Sequence, residues 1–250
     1  MAIKICHASI DENGRIKGGA AGDQTKKEVC TRDWYNKGWN VVLRPLSSTL
    51  AEKSVEVALK LAKGNLVGYD QNQRNTLHTA MKAVGHNPDK LKTKCETDCS
   101  AFVTECAIAG GCKELEYSGN APTTSTMRKA FTATGKYKAL TDSKYLTSDK
   151  YLKVGDVIIK EGSHVVLSVE NGSLANSTST TTTTSTSKYY KACASKYTSI
   201  VDALDSIGVD SSKANRTKIA KANGIDKYTG SASQNSSLLK LLKGGKLKKA

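Results

Sequence analysis

The sequence predicts an α+β fold followed by a small all-α module, and three observations carry that prediction. Capped helical patterns occupy residues 49–64 and 98–109. Two β-branched runs, 154–159 and 164–169, are joined by the turn Lys160-Glu161-Gly162-Ser163 and so read as neighbouring antiparallel strands. A Ser/Thr tract then separates this mixed part from a lysine-rich stretch with helical periodicity. The 250 residues allow one large domain or two modest ones, and 38% apolar content is enough for a core. No apolar run approaches the roughly 20 residues needed to span a bilayer, so a membrane span is not expected. Residues 1–14 carry Lys4, Asp11 and Glu12 with no apolar h-region, so a Sec-type signal peptide is not expected either.

Taken in order, residues 28–35 and 39–43 have strand-like content around Asn36-Lys37-Gly38, which suits a hairpin. Thr49-Leu50-Ala51-Glu52 matches a capping box and opens an apolar pattern through Val55, Ala58, Leu59 and Ala62 that Gly64 ends. A second helix is expected over 70–84, with Leu77, Met81 and Val84 inward, and a third over 98–109 before Gly110-Gly111. Helices come first and the antiparallel sheet after. In the C-terminal part, residues 199–207, 212–223 and 236–242 read as three short helices, with stops at Gly208, Gly224 and Gly244-Gly245. The expected organisation is therefore a mixed domain at 1–172, a solvated linker at 173–188 and a basic helical module at 189–250.

Charge is unevenly spread along a chain of net charge +15: residues 189–250 hold 12 Lys+Arg against 4 Asp+Glu. Such a tail suits a polyanion. With only 6% aromatics and no zinc-finger, homeodomain or RRM pattern, nucleic acid is not the expected partner.

The chemistry concentrates at Thr97-Asp98-Cys99-Ser100-Ala101-Phe102-Val103. A cysteine in the first turn of a helix faces unpaired N–H groups and the positive end of the dipole, which favours the thiolate and lowers the thiol pKa from its usual ~8.5. The same N–H groups suit a developing oxyanion. The nucleophile needs a base, and histidine serves as base and then acid near neutral pH. His7 lies in an ill-defined N-terminal stretch, His78 in a helical pattern and His86 in a turn before Asn87-Pro88. His164 opens a β-branched strand after Gly162-Ser163, where a sheet edge would hold its ring, and is the preferred partner of Cys99.

Asp98-Cys99-Ser100-Ala101-Phe102-Val103 resembles the nucleophile motif of NlpC-type papain-like cysteine peptidases, relatives of CHAP domains. Val154-Gly155-Asp156-Val157-Ile158 and Gly162-Ser163-His164-Val165-Val166-Leu167 resemble that family's two following strands, in the same order. With a Thr/Ser linker and a basic C-terminal module, the layout is similar to phage endolysins of Gram-positive hosts. The resemblance implies a papain-like catalytic domain that cleaves an amide in a peptidoglycan stem peptide or cross-bridge through an acyl-enzyme, with no cofactor or metal. It implies synthesis in the host cytoplasm and action on the wall after holin-type release or lysis. Cys99 would be the nucleophile and His164 the proton shuttle. The family's third polar residue usually follows the histidine by a dozen or more residues, a stretch that here runs into the linker. Asn171 or Glu170 is the preferred candidate, with an N-terminal residue such as Asp23 as the alternative. Asp98, Ser100 and Tyr69 correspond to substrate-contacting positions, although Asp98 equally suits a plain helix N-cap.

Cys95, Cys99, Cys106 and Cys112 lie close together, but their spacings match no paired zinc knuckle. Seven cysteines without a secretory signal fit thiols made in a reducing cytoplasm. The C-terminal module is expected to bind peptidoglycan or anionic wall polymers. Residues 219–225 resemble part of LysM modules, and Tyr189, Tyr190, Tyr197 and Tyr228 suit either sugar stacking or a small core. Two other readings stay open: an N-acetylmuramoyl-L-alanine amidase on the same scaffold, and a non-enzymatic wall- or polyanion-binding protein.

Overall fold

In a computed structural model that describes residues 2–175 and 188–249, the chain forms two compact units. Most of the expected linker lies outside the described residues. Its first residues belong to the mixed unit: Leu174 N–H donates to the Lys150 carbonyl, and Ala175 is buried. That unit therefore reaches at least three residues beyond the expected boundary at 172.

The first unit is α+β. Its elements in order are β1 (Lys4–Ala8), β2 (Val29–Asp33), β3 (Val41–Pro45), α1 (Ser48–Gly64), β4 (Val67–Tyr69), α2 (Thr76–Ala83), β5 (Cys95–Thr97), α3 (Cys99–Ala109), α4 (Met127–Ala133), β6 (Tyr137–Leu140), α5 (Ser143–Leu146), β7 (Val157–Lys160) and β8 (His164–Ser168). A six-stranded antiparallel sheet runs in the order β2-β1-β8-β7-β3-β6, and β4 and β5 form a separate parallel pair. The expected β7–β8 hairpin is present, with Ile158 opposite Val166 and Lys160 opposite His164.

Alternation along the strands gives the sheet two buried faces. Cys6, Leu43, Ile159 and Leu167 join residues of α1 and α3 in one cluster, whereas Ile5, Trp39, Ile158 and Val166 join another. Helix α3 is buried at every position from Cys99 to Ile108. It has no exposed polar face, and its polar side chains Ser100, Thr104 and Glu105 are buried with the apolar ones, as in a helix enclosed by other elements. It packs on β8, against β1 and beside α2.

The expected hairpin at Asn36-Lys37-Gly38 is not formed. β2 pairs with β1, while β3 lies between β7 and β6, with three strands between it and β2. The N-terminal KICHA segment accounts for the difference: it is a strand, buried from Ile5 onward, and takes the place beside β2. Strands thus precede the helices as well as follow them. The second helix is shorter than expected, because Asp70, Gln73 and Asn75 organise turns ahead of Thr76.

Two residues before β7, Gly155 adopts φ +82° against α1, where a Cβ would lie 2.5 Å from the Ala51 Cβ. Next to it, the buried Asp156 carboxylate accepts from Arg44 Nε at 2.8 Å and Nη2 at 2.6 Å, and from the Lys153 N–H at 2.8 Å. The Gly-Asp pair therefore sets the entry of the hairpin that carries His164.

In the second unit, α6 (Ile200–Ser206), α7 (Lys213–Ala222) and α8 (Ala232–Lys243) surround a core that includes Leu204, Ile219, Leu238 and Leu242. Helix α8 starts four residues earlier than expected because Ser231 and Gln234 form a capping box. Tyr228 is buried in this core and bonds Arg216 and Asn235, and Tyr190 and Tyr197 pack against the core, leaving Tyr189 exposed. Among the described residues, no helix is long and apolar enough to cross a membrane.

Gly155→Ala combines a positive φ with a backbone clash, so it should destabilise the first unit by more than about 1 kcal/mol. Chemical denaturation of the variant beside the parent checks this, with Gly64→Ala, at a position with open space, as the mild control.

Candidate active site

The parallel β4–β5 pair delivers the chain to the start of α3, with Tyr69 opposite Thr97. Asp98 then caps the helix, its carboxylate accepting from the Ala101 N–H at 2.7 Å. Arg74 holds that carboxylate from the side, with Nε 2.6 Å from Oδ2, and its Nη2 donates to Ser100 Oγ at 2.8 Å. Ser100 Oγ in turn donates to Asp98 Oδ1 at 2.9 Å. The Arg74 guanidinium is anchored by the Ala121 and Pro122 carbonyls. Asp98 and Ser100 are thus brought together in a network that fixes the first turn around Cys99, and Arg74 is a member that sequence reasoning missed.

Cys99 is buried, and burial pushes its thiol up to about 12. The Asp98 charge adds to that, while the Val165 and Ser100 backbone N–H groups and Arg74 oppose it. The expected lowering by the helix N-terminus is therefore outweighed: desolvation of the sulfur exceeds what the first-turn dipoles return.

His164 opens β8 and stacks on the Trp39 indole, with ring centroids 6.4 Å apart and planes at 28°. Its Nε2 lies 3.1 Å from His7 Nδ1. Burial holds His164 down to about 4, helped by Lys37 and Arg32 and opposed by Asp98. Burial, with His164 and Arg32, holds His7 down to about 3. Both rings are accordingly neutral at neutral pH, and one donates while the other accepts. Among the described residues, the His164 ring hydrogen-bonds His7 and not Cys99. The sulfur meets β8 one residue further on, at the Val165 N–H.

The two preferred candidates for the third residue are engaged elsewhere. The Glu170 carboxylate accepts from the Lys4 N–H at 2.8 Å, and Asn171 Oδ1 accepts from the Val154 N–H at 2.9 Å. Asp23 accepts from the Glu28 and Val29 N–H groups and shapes the entry to β2. His7 takes the position beside His164 because β1 is the sheet neighbour of β8, with Cys6 opposite Leu167. The signal available in the sequence was the period-two run Ile3, Ile5, His7, which puts His7 on the face of the buried Ile5. Tyr69 is buried, its hydroxyl accepts from Gln71 Nε2 at 3.3 Å, and the charges of Cys99 and Asp98 both act on it. It therefore lies near the nucleophile.

All seven cysteines are free thiols. Further along α3, Glu105 meets His78 and His86 in a set that can hold a metal ion, and this set contains no cysteine.

Residues 5–175 match the family described as ELLD, endolysin-like domain. A 46-residue stretch, 18% of this chain, is 50% identical to the endolysin of Listeria phage A511 and covers 14% of that protein. The shared stretch is thus a small part of the relative's length. No solved structure matches significantly. The matched range begins inside β1, ends past β8 and includes His7, Cys99 and His164. Spanning well over half of the sequence, that match shows that the chain belongs to the endolysin-like domain family.

Proposed function

We propose that the first unit is a cysteine-type peptidoglycan hydrolase, papain-like and of NlpC type, cleaving an amide in the stem peptide or cross-bridge. The observation that carries this reading is the combination of Cys99 at a capped, buried helix start against β8 with a His164 ring aligned by His7 and covered by Trp39. Family membership and the phage endolysin relative support peptidoglycan as substrate.

In this reading the resting pair is neutral thiol and neutral imidazole. His164 Nε2–H donates to His7 Nδ1, which leaves His164 Nδ1 free to take the thiol proton as the sulfur attacks the carbonyl carbon. First-turn N–H groups of α3 receive the oxyanion. Collapse breaks the C–N bond, and His164 gives its proton to the leaving amine. Water, deprotonated by the same ring, then hydrolyses the thioester and returns the thiol. His7 is a positioning residue: it fixes the tautomer and accepts a stronger hydrogen bond once His164 is charged. Asp98 and Ser100, held by Arg74, and Tyr69 border the nucleophile and are the proposed substrate contacts. Closure of the one-residue offset between sulfur and imidazole accompanies substrate binding, since catalytic hydrogen bonds tighten in the bound complex.

The basic second unit is proposed as the wall-binding module, raising the local concentration of enzyme on its substrate. The protein is proposed to act on the wall after release from the host cytoplasm.

Cys99→Ala and His164→Ala should each lower the rate of lysis of purified Gram-positive peptidoglycan by at least about 10³-fold while wall binding persists. Unchanged lysis by Cys99→Ala sinks the mechanism, whereas a parent that binds the wall without lysing it is a binding protein. Mass spectrometry of the released fragments identifies the amide that is cut.

Because only the neutral His164 ring accepts a proton, kcat/KM on a soluble muropeptide should fall as pH drops through about 4 and stay flat across neutral pH. A limb rising near the ordinary thiol value, ~8.5, would instead mean that a preformed thiolate is the attacking species. His7→Ala should cost about 10²-fold in kcat and shift the acid limb, with His7→Gln recovering part of the rate; a variant that lowers stability alone would leave the pH profile unmoved.

A further inference from the structure

We propose that His78, His86 and Glu105 form a structural zinc site that clamps α2, the turn after it and α3 together. Glu105 lies on α3 beyond Cys99, and its carboxylate is completely buried. Oε2 is 2.6 Å from His78 Nδ1, and Oε1 is 2.7 Å from His86 Nδ1. One ligand atom from each of the three residues lies within 4.8 Å of the others.

A buried carboxylate gripped at both oxygens by imidazoles needs either an N–H from each ring or one cation shared among the partners. Three features favour the cation. His86 has φ +57°, a left-handed conformation rare for a residue with a side chain, and it follows Gly85 at φ +66°. This backbone turns the ring back onto Glu105. His86 Nε2 is 3.1 Å from Glu116 Oε1, the outer-carboxylate arrangement that fixes a ligating imidazole with its other nitrogen bare. His78 is buried, stacked on Tyr117 with centroids 4.1 Å apart, and its Nε2 has no partner among the described residues. That ring is oriented by packing, and its Nδ1 alone faces the other two residues. Two imidazole nitrogens and one carboxylate oxygen suit Zn²⁺, with water as a fourth ligand, and do not suit Mg²⁺ or Ca²⁺, which take oxygen donors.

The site is separate from Cys99 and His164, and the proposal does not depend on the reading of the reaction. The full chain, stripped with chelator and dialysed, is titrated with Zn²⁺ by calorimetry and followed by thermal melting. One Zn²⁺ per chain should bind at this site, and Tm should rise by roughly 5–10 °C at a hundredfold excess over Kd. Co²⁺ should give visible d–d bands without the intense near-ultraviolet thiolate band that the cysteines would produce. His86→Ala, at a half-buried position, should abolish uptake and the Tm shift, and His164→Ala should keep both. If the folded parent takes up no Zn²⁺, the proposal is overturned and the three residues are a hydrogen-bonded triad. Uptake that survives His86→Ala, or that brings a thiolate band, overturns it equally.

Discussion

Burial of α3 against β8 is the constraint on which the rest of the first unit depends. A helix enclosed on all sides cannot shift without opening the core, so its first turn is fixed in place along with the sheet. Cys99 occupies that turn and meets β8 at Val165, next to His164. The same burial that fixes the sulfur also makes its thiolate costly. The fold trades ready ionisation for position, and in the proposed reaction the imidazole takes the proton at the moment of attack.

The surroundings follow from this. Arg74 ties Asp98 and Ser100 to the carbonyls of Ala121 and Pro122, so the helix cap is held from outside α3 as well as from within. Asp156 and Arg44 set the entry of the β7–β8 hairpin, and Trp39 stacks on His164. Asp98, Asp156 and His164 each have a partner that is carried by a different part of the chain: Arg74, Arg44 and His7. Such networks are costly when half satisfied and rigid when complete.

Much of this was legible in the sequence. The cap at Asp98, the extent of α3 and the β7–β8 hairpin follow from local patterns, as do the three C-terminal helices, because capping residues, apolar periodicity and turn glycines are local signals. What was not legible is long-range. The partner of β2 is set by sheet order, which a turn-compatible Asn36-Lys37-Gly38 cannot reveal, and the alternation Ile3, Ile5, His7 marks a short strand without naming its neighbours. The place of His7 beside His164 follows from that sheet order, whereas Glu170 and Asn171, next to the histidine strand in sequence, bond the Lys4 and Val154 N–H groups. The thiol departs from expectation for a related reason: the dipole of a first turn is visible in sequence, but the depth of burial that opposes it is not.

The pairing of β1 with β8 has a consequence for how the protein is made. Ile5 and Ser168 are opposite one another in the sheet although roughly 160 residues separate them. During synthesis the first strand leaves the ribosome long before its inner neighbour exists, and it has only β2 to hold it. A sheet closed by its earliest and latest strands cannot be completed piecemeal, so the nascent chain carries the parts of the site without their alignment until translation has passed β8.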